Sequence, residues 1–106
     1  MKIYFIDKSG KNLKIKKLLE DIGIENVEHK DSYSFRCTKN DYVILSEYNH
    51  REDNTALKRF NNLIIVLDNN KPEISWELAS EYKTIDIIYS KCGEEYIAQR
   101  IAKNIS

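Results

Sequence analysis

Apolar and polar positions fall in blocks along this chain of 106 residues, and the blocks read as strand and helix in turn. Ile3-Tyr4-Phe5-Ile6 is a short run of β-branched and aromatic residues, closed by the polar turn Asp7-Lys8-Ser9-Gly10. Ile15, Leu18, Leu19 and Ile22 then recur at helical spacing, one stripe of a helix that Gly23 stops. Asn26 to His29 reads as a weak strand, and residues 31–40 are polar, with room for a turn or two of helix at most. Tyr42-Val43-Ile44-Leu45 predicts the third strand. After a polar stretch that holds His50, Ala56, Leu57 and Phe60 mark a short helix, with Asp53 to Thr55 available as caps. Leu63 to Leu67 is apolar at every position, as in a strand buried on both faces. Asp68 to Lys71 turns the chain into a helix that starts at Pro72 and carries Ile74, Leu78 and Tyr82 on one side, with Trp76 off that stripe. Ile85 to Tyr89 predicts a fifth strand, interrupted by Asp86 as an edge strand can be, and Ile97, Ile101 and Ile105 define a last helix after Gly93.

Strand followed by helix, unit after unit, predicts an α/β fold, because parallel neighbours need a crossover that a helix supplies. The runs beginning at Ile3, Tyr42 and Leu63 are the most apolar, which puts them inside the sheet and the second and fifth strands at its edges. That ranking matches the order 2-1-3-4-5 of a flavodoxin-like (βα)5 three-layer sandwich, with residues 1–106 as one domain.

Composition narrows the class without naming a function. Hydrophobic residues make up 42% of the chain and charged residues 32%, an ordinary globular balance. Lys and Arg number 17 and offset 17 Asp and Glu to a net charge of zero. A nucleic-acid binder draws its affinity for phosphate from an excess of clustered cations, so this balance argues against that partner. The charge is uneven all the same: Lys11, Lys14, Lys16 and Lys17 gather at the start of the first helix. A solvated helix face explains the cluster, and an acidic partner surface is the alternative. Cys37 and Cys92 lack C-x-x-C or His-spaced partners, the usage of a reduced cytoplasmic protein. The first apolar run is too short for a signal peptide or a membrane span.

In an open parallel sheet, ligands meet the carboxyl ends of the strands beside the switch in strand order, here between strands one and three. The tips concerned are Asp7-Lys8-Ser9, Ser46-Glu47-Tyr48, Asp68-Asn69 and Ser90-Lys91-Cys92. A nucleotide cradle needs closely spaced glycines whose N–H groups converge on an anion, and Ser9-Gly10-Lys11 has one glycine. A flavin phosphate loop would not open on the carboxylate of Asp7. A thiol phosphatase would carry a cysteine directly after the first strand, where neither cysteine lies. His29 and His50 are the only imidazoles, and the sequence pairs neither with a nucleophile and an orienting group.

At these same tips the chain resembles a response-regulator (CheY-like) receiver domain. In that family, acidic residues after strand one and an Asp ending strand three bind magnesium and accept a phosphoryl group, a Thr or Ser ends strand four, and a Lys ends strand five. Asp7 matches one acidic position, with Lys8 where a second carboxylate is expected. Ser46 stands at the phosphoacceptor position, Asp68 at the Thr or Ser position, and Lys91 at the family's Lys, with Cys92 in place of the usual Pro. The resemblance implies a degenerate pocket of Asp7, Lys8, Ser46, Asp68 and Lys91, in which Lys91 pairs with Asp7 or Asp68 and no catalytic residue or cofactor is expected. Such pseudo-receivers are similar to the N-terminal domain of pilus-assembly localisation proteins of the TadZ/CpaE kind, which precedes a MinD/ParA-like ATPase. Ile87 to Ile97 looks like the close of those domains, and an end directly after the last predicted helix suits an excised domain or a stand-alone receiver.

Three functions follow as expectations. The first is a non-catalytic signalling or localisation module that works by protein–protein contact. Receivers commonly pair through the helix after strand four, strand five and the last helix, which here offer Trp76, Tyr82, Tyr89 and Tyr96 to a homodimer or another protein partner. The second is a phosphorylatable receiver of a two-component system, with Mg2+ held by Asp7 and Asp68. The third is a small flavodoxin-like enzyme or carrier.

Overall fold

The structure, a computed structural model, describes residues 1–48, 54–68 and 72–105. Among them the strands are β1 (Ile3–Ile6), β2 (Val27–Lys30), β3 (Tyr42–Leu45), β4 (Asn62–Leu67) and β5 (Thr84–Tyr89), and the α-helices are α1 (Leu13–Asp21), α2 (Pro72–Glu81) and α3 (Glu94–Ile105). All neighbouring strands run parallel, in the order β2-β1-β3-β4-β5. The fold is α/β, with the sheet order that the strand hydrophobicities predict. His50, with the cap candidate Asp53, and the turn residues Asn69 to Lys71 lie outside the described residues.

Strand periodicity divides the core into two layers. Ile3, Phe5, Ile44, Ile64, Val66 and Ile88 face one side and meet Ile15 and Leu19 of α1 and Ile97, Ala98 and Ile101 of α3. Their neighbours Tyr4, Ile6, Val43, Leu45, Leu63, Ile65 and Leu67 face the other side and meet Leu78 of α2 and Tyr82 just after it. Each such side chain, taken fully out of water, contributes about 1.5–3 kcal/mol. The continuous apolar run of β4 is thereby explained: every second residue serves a different layer.

The second layer departs from four regular helical crossovers. Residues 31–41 form no helix, and residues 55–59 form one 3₁₀ turn rather than an α-helix. Tyr33, Phe35 and Cys37 of the irregular segment pack against the second layer in a helix's place. Phe35 lies with its ring centroid 4.5 Å from that of Tyr4 and 5.5 Å from that of Phe60. The Arg59 guanidinium sits over both Phe35 and Phe60 and donates to the carbonyls of Tyr33 and Phe35. One arginine thus satisfies backbone oxygens that a helix would have satisfied internally.

Local signals position the other elements. Helix α1 ends in a Schellman motif: Ile24 N–H donates to the Leu19 carbonyl and Gly23 N–H to that of Glu20. Gly23 stands at φ 95°, a conformation open to glycine and costly for other residues. Ile22, counted in the apolar stripe, sits at the C-cap and is exposed. No helix of the described residues is long and apolar enough to cross a membrane.

Candidate functional site

The pairing of β1 with β3 brings Asp7 and Ser46 to adjacent strand tips. Ser46 is buried, and both of its donors go to one acceptor: its N–H and its hydroxyl reach the Ile6 carbonyl, at 3.0 and 2.8 Å. The hydroxyl closes the end of the β1–β3 ladder.

Asp7 is buried too, and donors of the following loop occupy its carboxylate. Oδ2 accepts the Asn12 backbone N–H at 2.9 Å, and the Ser9 hydroxyl lies 3.4 Å from Oδ1. Asn12 is the residue before α1, so Asp7 holds that helix's entry and places a negative charge near its positive end. The Asp7 main chain is tied to β2: its N–H donates to the Lys30 carbonyl at 2.9 Å, and its carbonyl lies 3.0 Å from His29 Nε2. A carbonyl only accepts, so Nε2 carries the proton. His29 is thereby a strut for the loop.

Glu47 is the group that sequence reasoning passed over. Its Oε1 accepts from the Ser9 hydroxyl and, at 3.1 Å, from Asn12 Nδ2. Ser9 has one proton to give, and its closer contact is with Glu47, so Glu47 rather than Asp7 receives it. The signal in the sequence is the polar triad Ser9, Asn12 and Glu47 at two facing strand tips.

At the other end of the cleft, Asp68 is exposed and Oδ1 accepts the Ser90 hydroxyl at 2.6 Å, which links the tips of β4 and β5. No ion pair joins Lys91 to Asp7 or Asp68, and Lys91 is exposed. That expectation is corrected: the 3₁₀ turn at Ser90–Cys92 puts Ser90, not Lys91, against Asp68. Lys8 stacks instead on the Tyr33 ring, 4.3 Å from its centroid. A cation over an aromatic face gains by its quadrupole about 0.5–1 kcal/mol at an exposed site.

The resulting cleft, of about 430 Å³, is lined by Ile6, Lys8, Ser9, Leu45, Glu47, Tyr48 and Asp68. Burial, followed by the Glu81 carboxylate, raises the pKa of the Tyr48 phenol, which therefore stays neutral. Among the described residues, no three His, Cys, Asp or Glu side chains converge as they would around a metal ion. The carboxylates named for magnesium do not fit it well: Asp7 spends Oδ2 on the Asn12 N–H and Asp68 spends Oδ1 on the Ser90 hydroxyl. A hard cation asks for several oxygens directed at one point.

No family model, characterised protein or solved structure matches the chain.

The aromatic candidates separate by position. Trp76 is 78% exposed on α2 and Tyr96 is 44% exposed on α3. Tyr89 is half-buried, its hydroxyl 2.7 Å from that of Ser75, and so joins β5 to α2. Tyr82 is buried in the second layer. The structure corrects its assignment to an interface: the helical repeat from Ile74 through Leu78 carries it to the core.

Proposed function

We propose that this chain is a pseudo-receiver: a non-catalytic signalling or localisation module, at work in the cytoplasm, that acts by contact with a protein partner. The observation that carries the reading is Ser46. In a sheet of order 2-1-3-4-5, the residue ending β3 beside the switch point is where a receiver presents its phosphoacceptor carboxylate. Ser46 stands there buried, its hydroxyl spent on the Ile6 carbonyl. It offers neither an acyl-phosphate oxygen nor a ligand for magnesium. Glu47, one residue on, is held by Ser9 and Asn12 of the opposite loop.

The contact face is α2, β5 and α3, with Trp76 and Tyr96 as its exposed aromatics. Large, stiff aromatic side chains supply contact area at low entropic cost. The partner is a second copy, an output domain, or a MinD/ParA-like ATPase, fused or separate.

Titration with magnesium and beryllofluoride tests the silent pocket. We expect no saturable heat and no change in melting temperature; saturable binding lost on Asp7→Asn would overturn the reading in favour of a working receiver. The chain has one tryptophan, so its fluorescence reports Trp76 alone. Its emission should be that of a solvated indole and move to shorter wavelength as contacts form. Emission that never shifts with concentration or with an added ATPase of that class would count against Trp76.

A further inference from the structure

We propose that Asp86 is a guard on the β5 edge, which holds the chain back from pairing edge to edge with a second copy of itself. The inference is independent of whether the pocket is silent. Strand β5 ends the sheet, so among the described residues one side of its backbone has no neighbouring strand. Its sequence, Thr-Ile-Asp-Ile-Ile-Tyr, is otherwise rich in β-branched and aromatic residues. A six-residue edge of this kind is a template for added strands, and a symmetric copy is the partner always at hand. Asp86 is its only charge.

The surroundings of Asp86 are built rather than incidental. Oδ1 accepts the Ile87 backbone N–H at 2.9 Å, so a main-chain donor of the edge strand is already satisfied and closed to an incoming strand. The Arg100 guanidinium of α3 grips both oxygens, Nε to Oδ2 and Nη2 to Oδ1, each at 2.8 Å. Asn104 Nδ2 adds a bond to Oδ2 at 2.7 Å, and Arg100 Nη1 is itself held by the Tyr96 hydroxyl at 3.0 Å. The clamp fixes the carboxylate under α3, where Asp86 has a side-chain exposure of 12%. The β4–β5 register shifts at the same point, Leu63 pairing with Thr84 and Ile64 with Asp86, so Ile85 is the extra residue of a bulge. Bulges and inward charges are two devices that spoil an edge for pairing. Asp86, Arg100 and Asn104 together line a cleft of about 610 Å³ beside Ile85.

The test replaces the guard with a strand-forming apolar residue, Asp86→Val. By light scattering over a wide concentration range, the wild-type chain should show no mass increase that traces to β5. The variant should double its mass, with backbone amides of β5 exchanging more slowly as the dimer forms. A folded Asp86→Val chain that keeps the wild-type mass overturns the proposal. So does a wild type already dimeric by edge-to-edge β5 pairing, its β5 amides protected and its mass unchanged by Trp76→Ala. Should the valine variant lose its cooperative melt, Asp86→Thr carries the same test. Hydrogen exchange of the wild type decides independently: an Ile87 amide that exchanges as fast as the chain ends shows no guard contact and overturns the proposal as well.

Discussion

At the scale of single residues, the buried polar groups of this chain are structural fasteners. Asp41 is buried between the Lys2 and Thr38 backbone N–H groups, which donate to Oδ1 and Oδ2 at 2.8 Å each. The Thr38 bond is the main cause that holds its carboxyl below the usual range, against the opposing effect of burial. A depressed folded-state pKa gives stability that is complete above the unfolded value, about 3.9, and is lost as pH falls through the folded one. Asp41→Asn should therefore cost about 1–3 kcal/mol at pH 7, by unpairing one N–H. Melts of both chains from pH 7 to pH 2 should converge on the acid side of about pH 4. A gap constant with pH would show that the charge of Asp41 is irrelevant. Cysteine accessibility gives a second expectation. Burial first, and the nearby Asp41 charge second, raise the pKa of the Cys37 thiol, while Cys92 is exposed. A thiol reagent at pH 7 should label Cys92 fast and Cys37 slowly, read by peptide mass spectrometry; equal rates would contradict it.

At the scale of elements, the departure that matters is the crossover between β2 and β3. Its polar composition predicted little helix, and none forms. Periodicity gave no hint that Tyr33, Phe35 and Cys37 would fill the second layer, because a segment without a repeat has no face to read. Arg59, from the following connection, pins the segment by two carbonyls and by stacking on two rings. Arg59→Ala should lower stability by about 1–2 kcal/mol. It should also speed amide exchange in residues 33–37 ahead of the β strands. Arg59→Lys should recover little, since an ammonium has no planar fork for two acceptors. A variant whose residues 33–37 exchange as slowly as the wild type would refute this role. Both sheet edges are treated with charge: β5 by Asp86, and β2 by Glu28, which pairs with Lys2 at 3.8 Å and Lys30 at 3.5 Å.

At the scale of the whole molecule, stability and recognition are carried by different side chains. Phe60 is fully buried between the sheet and Arg59, whereas Trp76 is mostly in water. Phe60→Ala should cost about 3–5 kcal/mol. Trp76→Ala should stay within about 0.5 kcal/mol of the wild type in thermal melts, yet weaken any self-association seen by light scattering. A large stability loss on Trp76→Ala would place that indole in the fold and remove it from the contact face. The neutral charge total takes on a local meaning as well. Asp7 and Asp68 are met by neutral N–H and O–H donors, and Lys8 lies over the Tyr33 ring.

Strand order, the two edges and the helices around Ile15, Leu78 and Ile97 were legible along the chain, because burial imposes a period on each element. Periods of two and of about 3.6 survive in any sequence whose elements have an inside. The positions of Asp7, Ser46, Asp68 and Lys91 at strand tips followed from the same rhythm. Which of them touch did not follow. The short turn after β5 decides that Ser90 rather than Lys91 meets Asp68, and the reach of the facing loop decides that Glu47 meets Ser9 and Asn12. Hydrogen bonds depend on a few tenths of an ångström and on angles between loops far apart in sequence. Those loops acquire fixed positions only when the two apolar layers close around the sheet.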